Sequence, residues 1–194
     1  MTYHINLSDI DTGVLRPAAW MDFRGEWSAM SGLFLGDIQP GQIFETARHT
    51  VTKAEIIDFA KVFDPNAFHL DDTAARSIGL PGIIASGFHT LSLSFRLFFD
   101  LKLFDENALM PSPGLDSIRW LKPLRPDDTI LVRATAKEVT ASRSKPDRGI
   151  VRLLHETVNV ASRDVILTAE CMHRVRRRAT SRCQTTRTRK ALEG

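Results

Sequence analysis

The sequence predicts an α+β fold in which an antiparallel sheet wraps around one long central helix. A strongly apolar helical pattern runs from residue 84 to about residue 104 and indicates a helix that is largely buried. Four segments of alternating apolar and polar residues follow it, with turn-forming sequences between them. These predicted strands are residues 116–120, 129–139, 150–160 and 165–175. A sheet of this kind can bury a helix against one of its faces.

The segment before the long helix is predicted to hold one strand, at residues 43–49, and two shorter helices. Residues 52–55 form a capping box, in which a threonine hydroxyl satisfies an early helical N–H and a glutamate reaches back. Pro65 ends this helix after about three turns, because proline disfavours the helical conformation in the residue before it. A second helical piece is predicted at residues 72–77.

Length and composition predict one folded domain. With 194 residues and 43% hydrophobic residues the chain can bury one core, which we place in residues 33–176 after an N-terminal extension, residues 1–32. From Arg174 onwards there are eight basic residues and one acidic residue, so this end carries a charge of +7 and the rest carries −4. Residues 177–194 are therefore expected to form a disordered basic tail. Its lack of aromatic residues argues against single-stranded nucleic acid as a partner.

No signal peptide or membrane span is expected. The N-terminus lacks a basic and then apolar pattern, and the apolar stretch 91–104 is short and carries three charges. Cys171 and Cys183 have no CxxC spacing, so we expect free thiols in a reducing cytoplasm. His69 with Asp71 and Asp72 does not complete a set of metal ligands, and no metal or cofactor is expected. His89, His155 and His173 are assigned no catalytic role.

Acid/base chemistry is suggested by Asp64 and His69, which lie five residues apart across the end of the first helix. Carboxylate and imidazole together can hold a water molecule, take its proton and return a proton elsewhere. Gly87, at the start of the long helix, can offer its N–H to an oxygen gaining negative charge. Taken singly, Asp64 could be a helix cap, His69 a packing residue and Gly87 a site of close packing.

Together these residues resemble the hydratase motif of MaoC-like dehydratases and (R)-specific enoyl-CoA hydratases. The resemblance extends over residues 33–176 and is carried by residues 51–60, 64–66, 69–71, 84–87, 118–128 and 145–149. It implies the hotdog fold, an acyl-CoA thioester substrate and a homodimer or higher homo-oligomer with sites near the protomer interface. It also implies that Asp64 and His69 act on the water added to a 2-enoyl-CoA, and that the Gly87 N–H receives the thioester oxygen. Asn66 and Ser86 are expected to help bind substrate.

The sequence departs from the family at positions that line the expected site. Ser86 and Phe88 stand where many relatives have histidine and methionine, and Ala67-Phe68 replaces the usual proline and following residue. Acyl chain length, branching, and the choice between coenzyme A and acyl carrier protein therefore stay open. Two alternatives also stay open: a hotdog thioesterase that attacks the carbonyl carbon, and a non-catalytic acyl-CoA-binding module. The intact acid/base pair favours the hydratase.

Overall fold

The computed structural model describes residues 32–179 and, further toward the N-terminus, the strands 19–21 and 27–29. Eight strands and four α-helices make up this part of the chain. The strands are β1 (Ala19–Met21), β2 (Trp27–Ala29), β3 (Ile43–Glu45), β4 (His49–Thr50), β5 (Leu109–Trp120), β6 (Thr129–Ala141), β7 (Arg148–Asn159) and β8 (Val165–Arg176). The helices are α1 (Lys53–Phe63), α2 (Ala67–Leu70), α3 (Asp72–Ser77) and α4 (Gly87–Asp100).

One antiparallel sheet holds all eight strands, in the order β2-β1-β3-β6-β7-β8-β5, with β4 also pairing β6. Helix α4 lies against the inner face of this sheet and supplies Leu97 and Phe98 to two core clusters. Phe98 packs with Val151 and Leu153 of β7, whereas Leu97 shares a cluster with Val132 of β6. The predicted α+β hotdog fold, a sheet wrapped around a central helix, is confirmed.

Local signals predicted the short helices well. In α1, Glu55 N–H donates to Thr52 Oγ1 at 3.1 Å and Thr52 N–H donates to Glu55 Oε2 at 2.6 Å, which is the predicted capping box. The helix ends at Asp64, immediately before Pro65, and α3 covers the predicted residues 72–77. The one-turn helix α2, which carries His69, was not predicted.

The strands differ from the prediction at three places. The strand predicted at 43–49 is interrupted, because the Thr46 side chain accepts the N–H of Val132 at 2.8 Å in place of a regular backbone bond. Strand β5 begins at Leu109, seven residues earlier than predicted. The core was placed in residues 33–176, yet β1, within the predicted N-terminal extension, pairs with β3, with Trp20 opposite Phe44.

Helix α4 is shorter and less buried than predicted. It begins at Gly87, because Ala85 is held extended by donating its N–H to Leu124 O at 2.8 Å, and it ends at Asp100. The helix was predicted to be largely buried, yet its Phe99 side chain is 48% exposed, because the sheet covers one side of the helix. No helix in residues 32–179 is long and apolar enough to cross a membrane.

The predicted N-terminal extension and basic tail fall largely on residues 1–18, 22–26, 30–31 and 180–194, which lie outside the described residues. The start of the tail contacts the domain. The Arg178 guanidinium lies 4.4 Å from the centroid of the Phe34 ring and donates to Asp37 Oδ2 at 3.0 Å.

Candidate active site

The end of α1 and the short helix α2 bring Asp64 and His69 together. Asp64 caps the last turn of α1, where its N–H donates to Ala60 O at 3.0 Å, and His69 lies one turn into the next segment. His69 Nε2 lies 3.4 Å from Asp64 Oδ2. The imidazole side chain is 5% exposed and the carboxylate 20% exposed, so the pair is sheltered yet reachable from solvent.

The orientation of the His69 ring is fixed from its other nitrogen. His69 Nδ1 lies 2.7 Å from Ile84 O. Because a carbonyl oxygen accepts, Nδ1 carries the proton of this bond, and in the neutral ring Nε2 then presents its lone pair toward Asp64. The Phe68 ring packs edge-on against the imidazole, with centroids 4.3 Å apart. A neutral His69 can therefore accept a proton at Nε2.

Both oxygens of the Asp64 carboxylate receive hydrogen bonds. Ser86 Oγ donates to Oδ2 at 2.7 Å and Asn66 Nδ2 donates to Oδ1 at 2.5 Å. The bond from Ser86 is the largest cause that lowers the pKa of Asp64, with smaller contributions from Asn66 and His69 that together outweigh partial burial. Asp64 is therefore ionised at neutral pH and can act as a proton acceptor.

The N-terminus of α4 adjoins this pair. Ser86 caps the helix by accepting the Phe88 N–H at 3.2 Å, and Gly87 is the first helical residue. N–H groups of a first turn have no partner within the helix and lie at the positive end of its dipole. Here Ser86 links the carboxylate to the helix, since the same hydroxyl donates to Asp64 and accepts from Phe88. The N-terminus can thus stabilise negative charge beside the acid/base pair.

The packing of Trp120, the last residue of β5, explains why residue 87 is glycine. Trp120 Nε1 donates to Gly87 O at 2.8 Å. A Cβ added at residue 87 would lie 2.7 Å from Trp120 Nε1 and 2.8 Å from Cε2, so a side chain there would displace the indole. The two residues are 33 positions apart, and no local sequence signal links them.

The structure brings all five predicted site residues together, but Ser86 and Asn66 act on Asp64. Ser86 is fully buried, with 0% exposure, and its hydroxyl donates to the Asp64 carboxylate. Asn66 is exposed, and its amide donates to the carboxylate. Both residues therefore position the acid/base pair in this structure.

The other polar residues near the site have structural explanations. Asp71 Oδ1 accepts the Ala74 N–H at 2.8 Å and so caps α3. Asp72 forms an ion pair with Lys53 at 2.5 Å. His89 is buried and stacks on Phe59 with ring centroids 4.6 Å apart, and burial lowers its pKa to about 4.

Two clefts of the described residues lie away from this site. One, of about 360 Å³, is lined by Lys122, Arg125 and Asp164, and the other, of about 220 Å³, by residues near Gln39. Neither is lined by the acid/base pair. Around the pair, large apolar side chains are left exposed instead, with Phe88 60% and Trp120 48% exposed.

The fold and the site define a class: hotdog proteins with a carboxylate–imidazole pair at the N-terminus of the central helix. Residues 37–159 match the family described as MaoC like domain. Since the match spans more than half of the chain, the protein belongs to the MaoC-like domain family, as the sequence indicated.

Individual relatives agree with this assignment. The crystal structure of a MaoC-like dehydratase from Rhodospirillum rubrum is 38% identical, with a TM-score of 0.71, covering 77% of this chain and 100% of that one. The uncharacterized protein YdeM of Bacillus subtilis (strain 168) is 32% identical over 126 residues, which cover 64% of this chain and 86% of YdeM. The R-hydratase PhaJ1 from Pseudomonas aeruginosa, at 18% identity and a TM-score of 0.61, covers 77% of this chain and 89% of that one, and shares the fold.

Proposed function

We propose that this protein is an acyl thioester hydro-lyase that adds water to a 2-enoyl thioester to give a 3-hydroxyacyl thioester, or catalyses the reverse reaction. The observation that carries the proposal is the 3.4 Å approach of His69 Nε2 to Asp64 Oδ2 beside the start of α4. Proton acceptors that face one another beside a helix N-terminus suit chemistry next to a thioester carbonyl. The R-hydratase named above has the same fold, which supports this reaction class.

In the proposed hydration, Asp64 and His69 hold the attacking water and take one proton from it as its oxygen bonds to C3. The double-bond electrons move toward the thioester oxygen, and the pair then returns one proton to C2. Over one turnover the pair gains and loses one proton, so the net change is the addition of water. An ionised Asp64 begins the cycle as a proton acceptor, and Ile84 O fixes the orientation of the His69 ring through Nδ1.

The thioester oxygen gains negative charge when the double-bond electrons move. We propose that the Gly87 N–H donates to it, since this group lies at the positive end of α4. Removing one such donor in other enzymes costs about 10²–10³ in kcat. The Trp120 indole donates a hydrogen bond to Gly87 O and so helps to fix the position of the Gly87 peptide.

We also propose that a second copy of the chain covers the exposed apolar side chains beside the pair. Phe88 and Trp120 contact each other edge-on, with centroids 6.2 Å apart, and Leu121 is 55% exposed next to them. A dry acyl pocket needs these surfaces to be shielded from water. A homodimer would supply that cover and would place the site near its interface.

The proposal is tested by following loss of the conjugated double bond of crotonyl-CoA and longer or branched enoyl-CoA thioesters. Asp64→Asn and His69→Ala are each expected to reduce kcat/KM by about 10²–10⁴-fold, because each removes one half of the acid/base pair. Asp58→Asn is the matched control, since this α1 carboxylate is 72% exposed and pairs with Lys61. It should keep full activity.

The same assay separates the alternatives. Release of free thiol from acyl-CoA without loss of enoyl absorbance would establish a thioesterase and contradict the proposal. Tight binding of acyl-CoA with no turnover of any thioester in the panel would instead indicate a binding module. Circular dichroism of both variants verifies that lost activity does not reflect lost fold.

A further inference from the structure

A second cluster of reactive side chains lies inside the sheet, apart from the acid/base pair. His155 of β7 and Cys171 and His173 of β8 all project from the inner face of these adjacent strands. In the register, Ala169 faces His155 and Leu153 faces Cys171, so the cysteine is the diagonal neighbour of His155. Their ligating atoms, one from each side chain, all lie within 4.8 Å of one another.

These side chains are almost completely shielded from solvent. His155 is 0% exposed, Cys171 1% and His173 2%. The Phe98 ring of α4 covers both imidazoles, with centroids 4.4 Å from His155 and 5.1 Å from His173. Water could solvate the polar atoms of an exposed cluster, but this histidine–cysteine cluster is enclosed by aromatic and aliphatic groups.

The polar atoms of this cluster lack partners. Among the described residues, His155 Nδ1, His155 Nε2 and His173 Nε2 have no hydrogen-bond partner. Cys171 Sγ has one weak contact, 3.7 Å from Ala169 O. A buried imidazole has one N–H and one lone pair to satisfy, and leaving both unmet is unfavourable. Something that accepts these lone pairs would remove that half of the deficit, although the N–H of His155 would still have no partner among the described residues.

We propose that His155, Cys171 and His173 bind one thiophilic d¹⁰ metal ion in the core, either Cu⁺ with these three ligands alone or Zn²⁺ with a water molecule as the fourth ligand of its tetrahedron. Two imidazoles and one thiolate are ligands that both ions prefer. The site goes beyond the proposed hydratase activity, because none of its three ligands contacts Asp64, His69 or Gly87 in this structure.

The protonation states fit this use. Burial lowers the pKa of His155 to about 3 and that of His173 to about 4, so both rings are neutral, which is the ligating form. Burial raises the pKa of the Cys171 thiol to about 12, so the metal-free thiol is protonated. Binding therefore forms a metal–sulfur bond, breaks the S–H bond and releases one proton to solvent. No oxidation or reduction is involved.

Only small movements are needed to close the site. With metal–nitrogen bonds of about 2.0 Å and metal–sulfur bonds of about 2.3 Å, ligand atoms lie roughly 3.3–3.7 Å apart. The present spread of up to 4.8 Å can shrink to this range by side-chain rotation. Because the cluster is enclosed by the sheet and α4, we expect the ion to enter as the chain folds.

The test unfolds the full chain in denaturant with a chelator and refolds it in two anaerobic arms. One arm contains Co²⁺ as the visible substitute for Zn²⁺, and the other contains Cu⁺ with a reductant. After desalting, metal per chain is measured by mass spectrometry and thiolate-to-metal charge transfer by near-ultraviolet absorption. We expect about one ion per chain in at least one arm, with the charge-transfer band that a single thiolate ligand gives.

Two cysteine variants make the result specific. Cys171→Ala is expected to lose the band and to bind at least tenfold less metal, while Cys183→Ala should bind as the unsubstituted chain does. Circular dichroism establishes that each refolded protein has its fold. Folded protein that retains less than about 0.1 ion per chain in both arms would overturn the proposal and leave an aromatic-packed pair of neutral histidines. Equal metal binding by Cys171→Ala would overturn it as well.

Discussion

Ser86 joins the two halves of the candidate site through a single hydroxyl group. It donates to Asp64 Oδ2 at 2.7 Å and accepts the Phe88 N–H at 3.2 Å, so the carboxylate and the start of α4 are held in a fixed relation. The resemblance described above implies a histidine at this position, where this chain has a buried serine. The smaller side chain still supplies one donor to the carboxylate.

We predict that Ser86→Ala lowers kcat about tenfold or more and moves the acidic limb of the kcat/KM profile to higher pH. The substitution removes the largest cause of the lowered pKa of Asp64, so the carboxylate becomes protonated at a higher pH. Enoyl-CoA hydration measured across pH checks both effects. Ser92→Ala is the control, because that exposed helix serine donates to Phe88 O at 2.8 Å. An unshifted profile would mean that Ser86 is structural alone.

Gly87 and Trp120 are coupled through the space that a side chain at residue 87 would fill. We predict that Gly87→Ala destabilises the fold by about 1–3 kcal/mol, since the new Cβ would meet the indole at 2.7 Å. Trp120→Ala should lower the free energy of unfolding by a smaller amount. In the double variant it should relieve most of the strain that Gly87→Ala causes. Urea unfolding of both single variants and the double variant measures this coupling. Additive changes in the free energy of unfolding would contradict the direct contact.

At the level of elements, strand β5 ends the sheet, and no strand among the described residues pairs with its other edge. It has twelve residues, pairs with β8 on one side, and leads into Trp120 and Leu121 beside the candidate site. A long unpaired strand edge with neighbouring apolar side chains is a surface that proteins normally cover. The proposed second copy would cover both features together.

We therefore predict that Leu121→Asp shifts the chain toward monomers and lowers activity, because it buries a charge in the proposed contact. Light scattering after size-exclusion chromatography should give twice the 21.8 kDa chain mass for the unsubstituted protein. Ile78→Asp is the control, since Ile78 is 61% exposed at the end of α3. A fully active monomer would contradict the role given to the partner copy.

The elements also show where sequence reasoning succeeds. Helix α1 was predictable because its capping box and its stop at Pro65 depend on residues within a few positions of each other. Strand β5 was placed too late because Pro111 and Pro113 lie in its first half, and proline normally argues against a strand. Contacts that join distant segments, such as Trp120 with Gly87 or His69 with Ile84 O, have no local signature. Motif spacing could suggest candidate site residues, but their hydrogen-bond partners required the fold.

Across the whole molecule, one helix serves two separate clusters of polar side chains. The N-terminus of α4 adjoins Asp64 and His69, while Phe98, three turns further on, covers His155 and His173. The acid/base pair has 20% exposure at its carboxylate, whereas the second cluster is enclosed. Substitutions in one cluster should accordingly leave the properties of the other unchanged, because no described hydrogen bond connects them.

Buried histidines make the stability of the whole fold depend on pH, and His89 provides the clearest test. Desolvation is the main cause that lowers its pKa to about 4, against an ordinary value of 6.5. Between these values the unfolded chain binds the proton and the folded chain does not, so the free energy of unfolding rises with pH. The contribution of the buried neutral His89 to the free energy of unfolding is complete above pH 6.5 and is lost as the pH falls toward 4.

We predict that His89→Leu flattens this dependence by up to about 1.4 kcal/mol per pH unit between pH 6.5 and 4, the change for one proton. The variant should gain stability relative to the unsubstituted chain as the pH falls from 7 to 5, because it no longer has this imidazole to protonate on unfolding. Urea unfolding at intervals of half a pH unit measures the difference. The other buried histidines are present in both proteins, so their effects cancel. Parallel stability curves for the two proteins would show that His89 is protonated to the same extent in the folded and unfolded states.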